Sequence, residues 1–332
     1  MDVMMAGGTM GKKQFKRVGT HDGRFHADEV MATAILKELY DLEVVRTRDP
    51  EILKGLEIVY DVGDGEFDHH QVDKEFRESG TPYAACGLIW RGFGKEVIKR
   101  SEPTFSEHEV NNVFRNIDRN LMESIDASDN GIRGAIGIIP TPNISTILSN
   151  FNPPWNAAAA DEDEYFHEAV KLAGVILGNA IGQSVSTVKA RDAVAAAFEK
   201  RPKPELLVLD KPYPWARLIN GIDKERQILF VIFPREEEFL LQTVRGKGGS
   251  LGNRKSLPET WAGKRAEELN KLAGVEDAIF CHPGRFIAAA KSFDSIMKMA
   301  ELAIEEKENK PPRNISHVLK KFISKRLKSI GL

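Results

Sequence analysis

Histidines and aspartates recur in three short segments near the beginning of the chain. They are His21, His26, Asp28, Asp61, Asp68, His69 and His70. Neutral imidazole together with carboxylate is the ligand set that suits borderline divalent cations such as Mn²⁺, Co²⁺ and Zn²⁺. Sites made of oxygen alone suit Mg²⁺ or Ca²⁺ better. These residue types therefore predict a site for a borderline divalent cation.

The donors exceed what one tetrahedral cation needs, and a further aspartate follows at Asp126 or Asp129. The surplus predicts two cations about 3.5–4 Å apart, bridged by a carboxylate and a hydroxide. Such a pair serves in-line displacement at phosphorus, because one cation generates the nucleophile and both neutralise charge on the phosphoryl oxygens. Taken singly, Asp28 is also typical of a helix cap and Asp61 of a turn. Their joint occurrence in consecutive loops favours the metal site.

The elements around these residues predict an α/β fold with a parallel sheet. Residues 16–40 have the pattern of a strand, a loop and a helix, and the apolar residues of that helix recur at helical spacing. Glu43–Thr47 and the mostly apolar Leu56–Val62 are predicted strands. Strands that alternate with helices imply βαβ units, whose ligands gather at the carboxyl ends of the strands. His21 and Asp61 lie at such ends.

The remainder of the first half is predicted to be mainly helical. Helices are predicted at Ala84–Gly94, Glu107–Ser124 and Glu164–Lys200, with turn chemistry at Asp126–Gly131 and a long loop at Thr141–Asp161. The breaker cluster at residues 201–204 predicts a domain boundary. The resulting organisation is a disordered leader at 1–15, a catalytic domain at 16–200, a smaller substrate-binding α/β domain at 205–308 and a basic amphipathic helix at 311–332.

The second half alternates strand and helix patterns. Predicted strands are Leu206–Leu209, Gln227–Phe233, Phe239–Val244, Ala278–Cys281 and Phe286–Ala290, and predicted helices are Trp261–Leu272 and Ser292–Glu308. Residues 1–200 carry 22 Lys and Arg against 32 Asp and Glu, whereas residues 201–332 carry 25 against 17. This difference in charge can arise by chance. The functional alternative is that an acidic half concentrates cations and a basic half attracts an anion.

Composition excludes several classes of protein. Of the 332 residues, 42% are hydrophobic and 29% are charged, which excludes collagen-like, low-complexity and wholly disordered chains. No apolar run approaches the ~20 residues that span a bilayer. Cys86 and Cys281 belong to no CxxC pair, so neither a disulfide framework nor a thiolate zinc site is indicated. A cytoplasmic location is the prediction, with mitochondrial and nuclear locations left open, as is homo-oligomerisation.

The ordered set of His, Asp, Asp-His-His and Asp resembles the DHH phosphoesterase superfamily, and within it most closely the Myg family. The matching segments are His21–Glu29, Val45–Pro50, Val59–Asp64, Phe67–Gln71, Asp126–Ile132, Leu257–Arg265 and Phe280–Ile287. The resemblance covers most of residues 17–305. It implies a metal-dependent hydrolase with a DHH-type parallel-sheet domain, and its eukaryotic member is described as a 3′→5′ RNA exonuclease.

The resemblance also implies roles for single residues. It assigns His21 and His26 to the first cation, Asp28 and His69 to the second, and Asp61 as the bridge. The superfamily opens with His-x3-Asp-x-Asp, whereas here the loop is one residue longer and His26 stands at the position of the first Asp. The resemblance also implies catalytic roles for two residues: Asp68 orients the region, and His70 faces substrate phosphate. The last metal ligand is Asp129 or Asp126, with Asp129 slightly favoured.

The second half supplies candidate substrate contacts. Exposed backbone N–H groups and two cations at Arg245, Lys247, Gly248 and Gly249 suit a phosphate, with a plain hairpin or loop turn as the favoured alternative. His282 and Arg285 are further candidates for contacts with phosphate or the leaving oxygen. Trp215 and Trp261 are candidates for base stacking, with core packing as the favoured alternative. The basic terminal helix suits nucleic acid phosphates, or equally docking to a partner.

The predicted function is a dinuclear phosphoesterase that holds two divalent cations, Mn²⁺ foremost and Co²⁺, Mg²⁺ or Zn²⁺ as alternatives, and uses metal-bound hydroxide. Family resemblance points to 3′→5′ exonuclease action on RNA or short oligonucleotides. A small-phosphate hydrolase such as a pyrophosphatase is the first alternative. A non-catalytic nucleic-acid-binding or scaffold protein with a relic metal site is the second.

Overall fold

A computed structural model describes residues 15–132, 141–157, 162–246 and 252–306. The chain forms two compact units, Met1–Val185 and Ser186–Leu332, which divide within the long helix α7 at Glu162–Glu199. The domain boundary predicted at residues 201–204 follows the end of that helix. The predicted leader and the basic terminal helix lie outside the described residues, apart from Phe15. No helix within the described ranges is long and apolar enough to cross a membrane.

The first unit contains the predicted parallel sheet. Strand β1 (Arg17–Thr20) lies between β2 (Glu43–Arg46) and β3 (Ile58–Val59), in the order β2-β1-β3. Helix α1 (Ala27–Lys37) connects β1 to β2, and all its residues except Lys37 are buried. A helix that is buried on every side belongs to the core. Strand β3 is shorter than the stretch predicted at Leu56–Val62, because the backbone turns sharply at Asp61 (φ 60°).

Further helices belong to the same unit. They are α2 (Pro50–Leu53), α3 (Ala85–Ser101), α4 (Glu107–Ile117), a π-helical turn (Asp118–Met122), α5 (Glu123–Asp129) and α6 (Ile144–Ser149).

Two expectations for this region need correction. The turn predicted at Asp126–Gly131 begins later, because Asp126 and Asp129 both belong to α5. The long loop predicted at Thr141–Asp161 contains α6, which begins where the Asn143 side chain accepts a hydrogen bond from the Thr146 N–H (2.8 Å). The Pro and Asn residues of this stretch led to the prediction of a loop. Asn is common in loops, but it is also the residue type that begins α6 here.

The second unit is a five-stranded sheet in the order β4-β5-β6-β8-β7, parallel at β4–β5 and antiparallel elsewhere. The strands are β4 (Leu206–Val208), β5 (Phe230–Arg235), β6 (Glu238–Thr243), β7 (Ala278–Cys281) and β8 (Ile287–Ala290). The helices are α8 (Trp215–Ile222), α9 (Ala266–Ala273) and α10 (Phe293–Glu305). The mixed α/β fold class, with a parallel sheet in the first unit and a second, shorter α/β unit, is thereby confirmed.

The single helix predicted at Trp261–Leu272 is wrong in detail. A 3₁₀ turn (Glu259–Trp261) is followed by Gly263 at φ 74°, and α9 begins only at Ala266. Trp215 and Trp261 are 5% and 2% exposed, and each packs in one of the two apolar cores of this unit. Their burial supports the core-packing alternative and excludes the base-stacking role.

Candidate metal centre

Eight potential ligand side chains of the first unit lie together at the carboxyl ends of β1 and β3. They are His21, His26, Asp28, Glu29, Asp61, His69, His70 and Asp129, which form four overlapping groups with ligand atoms within 4.8 Å of one another. Seven of the eight were predicted as site residues from the sequence, and Glu29 was not. Asp68 and Asp126, also predicted, lie next to this cluster in different environments.

Chain direction explains why His21 and Asp61 meet. His21 directly follows β1 and Asp61 follows β3 by two residues, and parallel neighbours end at the same edge of the sheet. Asp61 adopts a left-handed φ of 60°, and Gly63 follows at 87°. Such a conformation in a non-glycine residue is strained and persists only where the surroundings hold it. Here the Asp61 N–H donates to the Phe67 carbonyl (3.1 Å), which brings His69 and His70 beside the strand end.

Helix α1 contributes Asp28 and Glu29 from its first turn. The positive end of the helix dipole stabilises carboxylates at this position. Glu29 Oε1 accepts a hydrogen bond from the His26 N–H (2.7 Å), and Asp28 Oδ2 accepts one from the Ala85 N–H (3.3 Å). Both acids have no exposed surface. The helix start therefore fixes two buried carboxylates and the His26 backbone together.

Asp61 lies at the centre of the cluster. Its Oδ2 is 3.3 Å from His21 Nε2, and its Oδ1 is 3.0 Å from His69 Nε2 and 3.6 Å from His70 Nδ1. The two oxygens thus face two different groups of ligands. This placement is what a bridging carboxylate requires.

Asp129, not Asp126, faces the cluster. Asp129 Oδ2 is 3.2 Å from His69 Nε2, which is also 3.7 Å from Asp28 Oδ2. Asp129 is the last residue of α5, so its side chain extends from the helix end. The geometry gives Asp129 the position of a ligand.

Asp126 is engaged elsewhere. It is fully buried and accepts hydrogen bonds from Arg77 Nη1 (2.5 Å) and from the Gly87 N–H (3.1 Å). Arg77 Nη2 also donates to Asp118 (2.9 Å). A Cβ added at Gly87 would lie 1.9 Å from Asp126 Oδ2, so only glycine permits this approach of α3 to α5. Asp126 therefore anchors the helix that carries Asp129.

Asp68 and His70 form a pair at the cluster edge. Asp68 Oδ1 accepts hydrogen bonds from the backbone N–H of His70 (3.1 Å) and from its Nδ1 (2.9 Å), and Oδ2 accepts one from the Asp64 N–H (2.8 Å). The Asp68 side chain is nearly buried, whereas that of His70 is 62% exposed. Asp68 thus orients an imidazole that faces solvent.

An open cleft of about 720 Å³ gives access to these residues. His21, Asp61, His69 and His70 lie in its wall, together with Arg48 and Lys74 as positively charged residues and Ser145 and Ser149 of α6. The cleft therefore combines a negatively charged floor with cations at its margin. That combination suits a substrate that carries phosphate.

The cluster shifts the pKa values of its members strongly. Burial lowers the pKa of His21, but hydrogen bonds to Asp61 and Glu29 outweigh it and raise the pKa to about 10. Burial raises the pKa of Asp61, but its bonds to His21 and His69 outweigh it and lower the pKa to about 2. Burial, and then the charges of Asp61 and Glu29, raise the pKa of Asp28 well above its ordinary value. Without metal, protons on imidazoles balance the carboxylates.

The donor set fits divalent cations. In the described part of the chain, no lysine or arginine forms an ion pair with Asp28, Glu29, Asp61 or Asp129. Asp28 Oδ1 and Glu29 Oε2 are buried with no hydrogen-bond donor among the described residues. Buried carboxylates need a counter-charge, and imidazole mixed with carboxylate suits borderline divalent metals. The cluster thus has the chemistry of a metal site.

Glu29 is the residue that sequence reasoning missed. Its Oε1 is 3.1 Å from His21 Nε2, and it shares a ligand group with Asp28 and Asp61. In the sequence, Glu29 is explained as one of the acidic residues that are common in the first turn of a helix. That explanation gave no reason to consider Glu29 as a metal ligand. The available signal was that α1 is almost entirely apolar from Val30 to Leu36, which predicts a helix buried on all sides, so that an acid in its first turn needs a positively charged partner.

The substrate contacts predicted in the second unit stay predictions. Arg245 is exposed, and Lys247, Gly248 and Gly249 lie outside the described residues. His282 and Arg285 belong to the turn between β7 and β8, where the Arg285 N–H donates to the His282 carbonyl (2.8 Å). None of these residues is a member of the cluster described above.

Comparison with known proteins gives consistent matches along nearly the whole chain. A family model described as "Uncharacterised protein family (UPF0160)", MYG1_exonuc, matches residues 17–304. A MYG1 protein of Schizosaccharomyces pombe is 31% identical over 322 residues, which cover 88% of this chain and 98% of that protein. A protein named MYG1 exonuclease from Homo sapiens is 32% identical over 331 residues, which cover 89% of this chain and 87% of the human protein.

Proposed function

The chain belongs to the MYG1 family, UPF0160, and from this membership and the cluster around Asp61 we propose that it is a dinuclear metal-dependent 3′→5′ exonuclease acting on RNA or short oligonucleotides. The name of the human relative supports an exonuclease. The resemblance to DHH phosphoesterases supports a two-metal reaction at phosphorus. RNA and the 3′→5′ direction are proposed from the same resemblance.

The observation that carries the proposal is the concentration of carboxylate around Asp61. Asp28, Glu29 and Asp61 are buried within one ligand group, and no lysine or arginine of the described ranges pairs with them. Because one divalent cation cannot use all eight donors, we propose two. The first would be held by His21, His26 and Glu29, the second by Asp28, His69 and Asp129, with Asp61 shared between them. Mn²⁺ is the metal we propose for this mixed set of imidazole and carboxylate, with Co²⁺, Mg²⁺ or Zn²⁺ as alternatives.

The chemistry that two such cations supply is a lowered pKa for water and neutralisation of charge at the phosphoryl oxygens. The chain's own residues would do the rest. Arg48 and Lys74 bind phosphate oxygens at the margin of the cleft. His70 holds its Nδ1 proton against Asp68, which leaves Nε2 to interact with substrate. In the second unit, Arg245, His282 and Arg285 are the proposed contacts with substrate.

Incubation with Mn²⁺ and three substrates tests this proposal. Labelled oligo-RNA, oligo-DNA of the same sequence, and pyrophosphate are followed by the length of product or the release of phosphate. Stepwise loss of single nucleotides from the 3′ end of RNA is expected. Phosphate release from pyrophosphate alone would instead identify a small-phosphate hydrolase. Bound metal without turnover of any substrate would identify a binding protein.

The substitution Asp61→Asn is the matched loss-of-function control, because it removes the shared charge while keeping the shape of the side chain. Asp41→Asn, the same change at an exposed residue of the first unit, is expected to leave activity unchanged. Activity that survives Asp61→Asn would contradict the proposal.

The free, buried state of Cys86 and Cys281 is consistent with the proposed cytoplasmic location.

A further inference from the structure

Trp155 is the most exposed large aromatic side chain of the described residues, with 97% of its surface in solvent. The other three tryptophans, Trp90, Trp215 and Trp261, are at most 5% exposed. An indole ring buries about 150–250 Å² when it packs, so leaving one in water forgoes a large stabilisation. A fully exposed ring of this kind is therefore suited to contact something outside the chain.

The backbone that carries Trp155 forms a turn. Two prolines precede it, and each fixes its own φ near −65°. The Ala157 N–H donates to the Pro154 carbonyl (2.9 Å), which closes a turn with Trp155 at its first central position. The side chain is thus presented at the tip of a turn whose backbone is already ordered, so binding loses little backbone entropy there.

Asn152 attaches this turn to the metal centre. Its Oδ1 accepts a hydrogen bond from the Phe25 N–H (2.9 Å), and its Nδ2 donates to the Phe25 carbonyl (2.7 Å). Phe25 directly precedes the cluster residue His26. Nδ2 also donates to the carbonyl of Ser149 (2.9 Å), a residue in the wall of the cleft. Three Cα–Cα steps of 3.8 Å keep the Trp155 Cα within about 11 Å of the Asn152 Cα, so the turn lies within that distance of a residue that is hydrogen-bonded to the cleft wall.

We propose that Trp155 is a stacking platform for a nucleobase of single-stranded substrate next to the metal cleft. The inference rests on the proposed function and names the part of the substrate that this chain recognises besides phosphate. An aromatic face stacks on any base, so this contact binds single strands without reading sequence. Arg48 and Lys74 of the cleft wall would hold the phosphates of the same strand. Phosphate-only substrates would gain nothing from Trp155.

Quenching of tryptophan fluorescence by acrylamide tests this directly and needs no turnover. Because the other tryptophans are buried, the quencher-accessible emission reports Trp155 alone. With metal omitted, single-stranded oligo(A) is expected to protect this emission. Pyrophosphate, and an oligonucleotide of equal length and charge that is abasic at every position, are expected not to protect it. Protection by the abasic strand equal to that by oligo(A) would overturn the proposal.

Affinity provides the second readout. Stacking free energies of about 1–3 kcal/mol per base correspond to roughly 5- to 150-fold in Kd, so Trp155→Ala is expected to weaken oligo(A) binding by that factor in fluorescence anisotropy. Trp155→Phe, which keeps an aromatic face, is expected to restore most of it. Phe76→Ala, at another exposed aromatic residue of the same unit, is the control and is expected to bind normally. Equal affinity of Trp155→Ala and the wild-type chain would refute the stacking role.

The outcomes separate this inference from the proposed function. Hydrolysis of oligonucleotides with an unchanged Kd in Trp155→Ala refutes the platform and leaves the exonuclease proposal standing. Base-dependent protection without hydrolysis of any substrate supports the platform and refutes the exonuclease. Protection that rises with protein concentration in the absence of nucleic acid would show that a second copy of the chain covers Trp155, and that also overturns the proposal.

Discussion

Asp61→Asn is expected to remove both metal positions at once. The substitution keeps the volume of the side chain and deletes one negative charge that faces His21 through one oxygen and His69 through the other. No other member of the cluster contacts both imidazoles within 3.3 Å. The other candidate ligands are proposed at one position each, so their loss is expected to weaken one position more than the other.

The size of the effect follows from Coulomb's law. At 4 Å and an effective dielectric constant of about 20, two unit charges interact with about 4 kcal/mol, which corresponds to about a thousandfold in affinity. A divalent cation at ligand distance interacts more strongly, so a thousandfold loss at each position is a lower bound. The stabilisation that metal gives to the folded state should vanish with it, about 2.7 kcal/mol for each ion at a metal concentration of 100 Kd.

Two measurements check this prediction. Metal content after dialysis against Mn²⁺ is expected to fall from two ions per chain towards zero, and the rise of Tm on addition of Mn²⁺ is expected to disappear. Asp41→Asn should change neither quantity. An Asp61→Asn protein that folds, retains two ions per chain and shows an unaltered affinity would refute the bridging role of Asp61.

Three further predictions use other residues of the chain. Glu29→Gln should lower metal content from about two ions towards one by mass spectrometry, and two retained ions would limit Glu29 to a role at the start of α1. Asp129→Asn should weaken metal binding with little change in the free energy of unfolding. Asp126→Asn, which breaks the buried pair with Arg77, should lower the free energy of unfolding by about 3–5 kcal/mol in denaturant titrations. The reverse result would exchange the roles of the two residues. The Asp223 carboxylate is buried and accepts bonds from two backbone N–H groups and Arg254, which outweigh burial and lower its pKa. Its contribution to stability should therefore be complete above pH 4 and decline as the pH falls through the lowered value, and Asp223→Asn should flatten that part of the stability–pH profile.

The sequence could predict which strand ends carry the site, because one rule suffices. His21 follows the first strand pattern and Asp61 the second, and parallel strands that are neighbours end at one edge. The Asp-His-His segment follows closely enough that a short turn returns it to the same edge. These contacts are local or set by topology, so they do not depend on details of packing.

The choice between Asp126 and Asp129 could not be made in this way. The two residues lie on one helix, three positions apart, and both are acidic. Which of them faces the cluster depends on Arg77, which lies 49 residues from Asp126 in sequence and pairs with it in the interior. It also depends on Gly87, whose missing side chain makes room for Asp126. Such long-range steric and charge relations leave no periodic signal.

Glu29 shows a different limit, because one residue satisfies two rules at the same time. As the third residue of α1 it accepts the His26 N–H, which is sufficient reason for an acid at that position. A residue already explained by local structure attracts no further attention in the sequence. Its second property, an oxygen buried without a donor, exists only after the sheet, α1 and α3 have packed around it.

The burial of these carboxylates connects the stability of the fold to the proposed function. The start of α1 stabilises Asp28 and Glu29 through its dipole, and protons on His21 and His69 balance part of the remaining charge. Neither the helix dipole nor the protonated imidazoles involve a lysine or an arginine. The buried side chain of Arg46 donates to the Gly23 carbonyl and to Asp163, and not to these carboxylates. Buried charges in proteins are normally paired or bound to metal, so three buried carboxylates without a lysine or arginine partner among the described residues are not explained by stability alone. Sites at which the sequence departs from such rules of stability are typically functional. Because no lysine or arginine of the described residues occupies the space beside these carboxylates, that space is left for cations that bind from solution.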